Sequence, residues 1–200
     1  MKYLLYAFDF DLTLADTVSV SEKTYAAAFK AVGKVFDGDV FHHLTRDLKA
    51  SFTETNGKAD DFPVFLETFE RTAEGLFETV TLYPDVLPYI FELKKRGVMT
   101  ALVTNRNRRS VDKAMQKYLP LEDLFDYIVT GDMTENFKPH PEPILKCLAA
   151  ANVSAKDAVY IGDAANDYLA AKAAGVDFIY IDRHGAVDKP AVKGLFEINN

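Results

Sequence analysis

The sequence predicts an α/β protein: a doubly wound parallel sheet with an α-helical cap inserted after the first strand. Three observations carry that reading. From Tyr83 onward, short apolar runs of strand length alternate with longer stretches of helical spacing, the pattern of a parallel sheet flanked by helices on both faces. Tyr3–Phe8 is another apolar and aromatic run with no polar side, as a strand covered on both faces requires. Between the two, residues 17–82 offer helical patterns and no convincing strand. The expected plan is a core of residues 1–16 and 83–200 and a cap of residues 17–82.

Taken in order, Tyr3–Phe8 is the first strand. Ser19–Val32, "SVSEKTYAAAFKAV", has helical spacing, and Gly33 supplies its stop. Helix is expected again in Thr45–Phe52 and in Phe62–Phe77, where aromatic residues recur at helical intervals and so build the cap's own core. Pro84 sits where a helix begins, and "DVLPYIFELKKRG" runs to Gly97. Val98–Val103 follows as a strand, Arg109–Tyr118 as a helix and Tyr127–Thr130 as a strand. Pro141–Ala151 is a helix, Ala158–Gly162 a strand, Asp167–Ala174 a helix, and "FIYID", Phe178–Asp182, the last strand.

Composition sets the bounds. With 48% hydrophobic and 26% charged residues the chain is expected to fold rather than stay disordered. A net charge of −7 argues against nucleic acid or an anionic membrane as the main partner. It leaves room for a small anionic substrate, because local groups set the field of a pocket. Cys147 is the only cysteine, so no intramolecular disulfide forms, and its place in "ILKCLAA" marks it as core. No apolar stretch reaches the roughly 20 residues of a membrane span. The N-terminal apolar run meets acids early and lacks a small-residue cleavage site, so the cytoplasm is the expected compartment.

In open parallel sheets, ligands bind beyond the carboxyl ends of the strands. The chemically notable residues obey that rule. Asp9 and Asp11 follow the first strand; Thr104 and Asn105 follow "VMTALV"; Lys138 lies beyond "YIVT"; Asp163 follows "AVYIG", with Asp167 four residues on. Asp9, Asp11 and Asp163 would repel one another without a cation, and a purely carboxylate set suits a hard ion such as Mg2+. Thr104, the backbone at Asn105 and Lys138 are donors suited to an oxyanion. A magnesium ion and a lysine beside such a site make a phosphoryl-transfer apparatus. In it Asp9 can attack phosphorus, and Asp11 can protonate the leaving oxygen and then activate water. Thr13 would orient the Asp9 turn. Asp167, in the first turn of a helix, is expected to support the metal or the lysine as well as the helix dipole.

"DFDLT", "LVTN", "KPHPEP" and "GDAANDYLAAKAAG" together resemble the haloacid dehalogenase superfamily of phosphatases, closest to its phosphoglycolate-phosphatase and β-phosphoglucomutase branch. The likeness runs from Tyr3 to about Asp182. It implies Asp9 as nucleophile and metal ligand, and Asp11 as acid/base that also binds metal through its backbone carbonyl. It implies Thr104 and Asn105 as phosphate ligands, Lys138 as the partner of Asp9 and the phosphate, and Asp163 as a metal ligand. The implied cofactor is Mg2+ and the implied substrate a small phosphorylated metabolite. Two departures stand out: Leu12 occupies a place that is often glycine in relatives, and Ala164 one that is often serine or threonine.

Weaker signals are Arg106, Arg108 and Arg109 beside the phosphate site. In the cap, Arg46, next to His42 and His43, is a candidate for substrate specificity. The leading reading is a magnesium-dependent phosphatase acting through an aspartyl-phosphate. The alternatives are a phosphosugar mutase, which shares the core residues, and a catalytically silent module that holds a phosphorylated ligand.

Overall fold

Every residue of β1 (Leu5–Phe8) is buried, as its unbroken apolar sequence requires. The computed structural model describes residues 2–44, 48–55, 57–185 and 190–199. After β1 come β2 (Ala15–Asp16), α1 (Val18–Ala31), α2 (Val40–Leu44), α3 (Leu48–Glu54), α4 (Phe62–Leu76) and β3 (Thr81–Leu82). They are followed by α5 (Val86–Lys95), β4 (Met99–Val103), α6 (Arg108–Met115), α7 (Leu121–Leu124) and β5 (Tyr127–Val129). The chain closes with α8 (Glu142–Ala151), β6 (Ala158–Gly162), α9 (Ala165–Ala174) and β7 (Asp177–Tyr180). It divides into two compact units, one of Met1–Asp16 with Thr81–Asn200 and one of Thr17–Val80.

The first unit holds a five-stranded sheet in the order β5-β4-β1-β6-β7, parallel throughout. Successive side chains of a strand point to opposite faces. Leu5 and Ala7 therefore join Ala101, Val103 and Val129 in one layer, which packs on Ile144 and Cys147 of α8 and Ala171 of α9. Phe8 faces the other way and meets Tyr89 of α5 edge-on, ring centroids 6.4 Å apart. The sheet is thus covered on both sides, which explains why its strands read as continuous apolar runs. Because β1 lies at the centre, with Phe8 in register with Leu102 and Ile161, the residues that follow it emerge between the ends of β4 and β6.

The sequence did not announce a small antiparallel pair. Ala15–Asp16 of β2 pairs with Thr81–Leu82 of β3, and the Leu82 N–H is taken by the Tyr118 hydroxyl at 3.0 Å. The division of the chain therefore falls after Val80, where 82 was expected. The short α2 and α7 were likewise not foreseen. Helix α6 stops at Met115, short of the expected Tyr118, and β7 runs Asp177–Tyr180, with Ile181 continuing only as an isolated bridge to Val192.

The second unit is helical and aromatic. α1 and α4 pack along each other, with Phe29, Phe52 and Phe65 wholly buried among Tyr25, Phe36 and Phe69. The Phe29–Phe65 and Phe52–Phe65 centroids are both 4.9 Å apart. His43 belongs to this core: it is 1% exposed, 5.0 Å from the Tyr25 ring and 5.5 Å from Phe36. It thus serves packing and not the surface. Arg46, the candidate specificity residue, lies outside the described residues. Among the described residues no helix is long and apolar enough to cross a membrane.

Candidate active site

The Asp9 N–H donates to Ile161 O at 2.9 Å, so the ladder between β1 and β6 fixes this residue as β1 ends. The chain then turns at once. Leu14 and Ala15 both donate to Phe10 O, at 3.0 and 2.9 Å, and Leu12 donates to Ala15 O at 2.8 Å. Leu12 takes a φ of +54°, in the left-handed region that a residue with a Cβ enters at a penalty of roughly 1–2 kcal/mol. The Leu12 side chain is accommodated at that cost, and it is buried. Thr13 reaches from this turn to the far side of the site, its hydroxyl 3.4 Å from Asp163 Oδ1.

Lys138 is the focus. It is 5% exposed, and its ammonium lies 2.6 Å from Asp9 Oδ1, 2.6 Å from Asp167 Oδ1, 2.7 Å from the Tyr160 hydroxyl and 3.2 Å from Val103 O. Its backbone is pinned just as firmly. The Asn105 side chain donates to Lys138 O at 3.0 Å and accepts from Lys138 N–H at 2.9 Å, a reciprocal pair that locks the loop after β5 to the end of β4. Asn105 thus has a side-chain task that its sequence position did not reveal. Thr104, wholly buried beside it, accepts the Arg106 N–H at 3.1 Å and keeps its own hydroxyl proton to donate. Gly131 is required here, since a Cβ would collide with the Asn105 carbonyl.

Asp167 is 2% exposed and occupies the first turn of α9, where one oxygen accepts the Ala164 N–H at 3.1 Å while the other holds Lys138. A Cβ on Gly162 would lie 2.5 Å from its carboxylate, so the carboxylate can lie against the backbone only because that residue is glycine. Asp9, Asp163 and Asp167 offer oxygen atoms all within 4.8 Å of one another. Asp11 is engaged differently. Its two oxygens accept from Arg106 Nε at 2.9 Å and Arg106 Nη2 at 3.1 Å, a bidentate pair in which both side chains are about one-fifth exposed.

The electrostatics follow from this crowding. Burial pushes the Asp9 carboxyl up to about 7 despite the opposing Lys138 ammonium, and the charges of Asp167 and Asp11 add to the push. Asp163 is raised well above the ordinary carboxylate range, by burial and then by Asp167, Asp9 and Asp11. Burial works against the charge on Lys138, but Asp167 and Asp9 outweigh it and hold the ammonium above its usual value. The Tyr160 phenol is also raised, by burial first, and stays protonated. Carboxylates forced together without a thiolate or imidazole make a donor set for a small hard cation. The residues present therefore fit Mg2+, which would relieve a repulsion that one lysine does not.

Two contributors escaped sequence reasoning, and a third was only a weak signal. Tyr160 lay hidden as one more aromatic residue in an apolar strand. Arg106 stood among the three arginines expected beside the phosphate site, but its pairing with Asp11 was not foreseen. Arg183, just beyond β7, donates to Thr13 O at 3.0 and 3.3 Å and to Asp85 Oδ2 at 2.8 Å, and stacks 4.4 Å over the Tyr83 ring. It clasps the Asp9 turn from the edge strand, at the same carboxyl end of the sheet.

Comparison with known proteins gives consistent findings. The model of the haloacid dehalogenase-like hydrolase family matches residues 6–181. A phosphoglycolate phosphatase of Colwellia psychrerythraea is 32% identical over 86% of this chain and 81% of its own. The pyrophosphatase PpaX of Bacillus cereus is 36% identical over 88% of this chain and 81% of its own. Among solved structures, a protein from Bacteroides fragilis assigned to the haloacid dehalogenase-like hydrolases superposes with a TM-score of 0.88 at 25% identity, covering 98% of this chain and 100% of that one.

Proposed function

Because the chain belongs to the haloacid dehalogenase-like hydrolase family, we propose that it is a magnesium-dependent phosphatase that cleaves a small cytoplasmic phosphomonoester through an aspartyl-phosphate. The contact that carries the reading is the 2.6 Å bond from the buried Lys138 ammonium to Asp9. It places a fixed positive charge beside the carboxylate that directly follows the central strand. Asp9 attacks phosphorus, and the bond to the ester oxygen breaks as Asp11 gives that oxygen a proton. Asp11, now a carboxylate, takes a proton from the water that attacks the aspartyl-phosphate, which restores Asp9 and releases inorganic phosphate. Thr104, the Asn105 backbone and Lys138 hold the phosphoryl oxygens, and Asp167 keeps Lys138 charged and in place. A magnesium ion bound by the Asp9 and Asp163 carboxylates and the Asp11 carbonyl would neutralise charge on the phosphoryl group.

The substrate class follows from Arg106. Relatives are named for phosphoglycolate and for pyrophosphate, two compounds that carry a second anionic group close to the phosphorus. A guanidinium fork matches a carboxylate or phosphate in two parallel bonds. Arg106 presents that fork at Asp11, and the second anion of the substrate would take the place of the Asp11 carboxylate. The exchange frees Asp11 to hold the proton that the first step needs.

The test is phosphate release from about a hundred phosphate esters and anhydrides with magnesium chloride, run beside Asp9→Asn. Turnover by the wild type that Asp9→Asn lacks supports the reading; no turnover with any compound overturns it.

A further inference from the structure

One buried polar group near the site has no part in the chemistry so far: the Tyr160 hydroxyl. A phenylalanine would fill the same place in the sheet, so the ring needs no explanation and the oxygen does. Tyr160 is 0% exposed, and its O–H donates to Val103 O at 2.7 Å. Its oxygen accepts from the Lys138 ammonium at 2.7 Å and lies 3.4 Å from Asp167 Oδ1.

An ammonium has three protons to place. The two shortest contacts of Lys138 are to Asp9 and Asp167, both 2.6 Å. Two anchors define an axis, and a four-carbon side chain can still swing its head about that axis. The phenol supplies the third anchor, at 2.7 Å, against 3.2 Å for the Val103 carbonyl behind it. It is a neutral acceptor, so it fixes the ammonium without drawing its charge away from the reacting group as a further carboxylate would. It is itself held by Val103, the residue immediately before Thr104. One hydroxyl therefore ties the end of β4, strand β6 and the lysine of the loop after β5 into a single unit.

We propose that Tyr160 is a positioning residue, whose hydroxyl sets the place and orientation of the Lys138 ammonium on Asp9. The kinetic part of this proposal rests on the phosphatase reading; the structural part does not.

The experiment compares Tyr160→Phe with Phe178→Leu, which loosens the packing of the Tyr160 ring, 6.2 Å away, but keeps the hydroxyl. With p-nitrophenyl phosphate and magnesium chloride, Tyr160→Phe should lower kcat about tenfold and leave KM within about twofold. Phe178→Leu should lower Tm and leave kcat in place. A wild-type kcat in Tyr160→Phe, or an equal loss in Phe178→Leu, overturns the proposal.

A second measurement needs neither turnover nor a folded variant. In wild-type protein labelled with nitrogen-15 in lysine, the Lys138 ammonium should give a slowly exchanging signal with a cross-peak to the Tyr160 hydroxyl proton. A missing cross-peak overturns the proposal whatever the variants do. A wild type that turns over no ester refutes the phosphatase reading alone, and this signal then decides the role of Tyr160.

Discussion

Arg106 meets Asp11 through two parallel bonds, Nε at 2.9 Å and Nη2 at 3.1 Å, so that both carboxylate oxygens are occupied as acceptors. In that arrangement Asp11 is held as an acceptor, as the second half of the proposed reaction needs. Giving a proton to a leaving group requires Arg106 to let go, and a substrate carrying its own second anion would take it.

Arg106→Ala should therefore be selective. The kcat/KM for phosphoglycolate and pyrophosphate should fall roughly 10–100-fold, the range for a lost charged hydrogen-bond pair, while p-nitrophenyl phosphate changes little. Arg106→Lys should not restore the loss, because an ammonium lacks the planar fork. Steady-state kinetics on the three compounds check this; an equal effect on all three would remove Arg106 from substrate selection.

Asp9→Asn should reduce turnover by about 10⁴-fold or more, since the nucleophile is gone. Its stability should move the other way. Removing one of several crowded acids relieves repulsion, so without metal at pH 8 the variant should melt no lower than the wild type. Calorimetry on both proteins in EDTA is the check.

The pH dependence of stability has a definite sign. Asp9 titrates near 7 in the folded chain against an ordinary value of 3.8, so the folded form holds a proton that the unfolded form has lost. Stability without metal should then fall as pH rises from about 4 to about 7, by a few kcal/mol at most, because the unfolded state binds fewer protons across that window. Magnesium at 10 mM should flatten the slope by favouring the ionised carboxylates. Urea titrations at pH 5 and pH 8, with magnesium and with EDTA, measure it. A rise in metal-free stability over this range would contradict the crowding described.

Arg183→Ala should destabilise the protein by about 3 kcal/mol, the scale for breaking a largely buried ion pair. Asp85 would be left with one oxygen holding the Leu195 N–H at 2.8 Å, and its other oxygen has no hydrogen-bond partner among the described residues. The Thr13 carbonyl would lose both its contacts to Arg183, so kcat should fall as well. Denaturant midpoints and kinetics read the two effects separately.

Much of this was legible in the sequence for a physical reason. Strands buried on both faces leave unbroken apolar runs, and the residue after each such run must lie at the sheet edge, which located Asp9, Thr104 and Asp163. The alternation of elements gave the layers. What stayed hidden depends on approach in three dimensions. Tyr160 and Val103 are 57 positions apart, and Arg183 and Thr13 are 170 apart; no periodicity links them. The pairing of β2 with β3 was missed because two residues are too few to show alternation. The burial of His43 was not legible either, because the rings that surround it come from separate parts of the helical unit.

That two-residue ladder has a topological consequence. It fastens the outgoing and returning chain side by side, so the excursion from Thr17 to Val80 leaves and re-enters through one doorway. A tight turn spliced between Asp16 and Thr81 would close the sheet-bearing scaffold into a free-standing polypeptide. By the same logic a quite different module could occupy that slot without redrawing the frame beneath it.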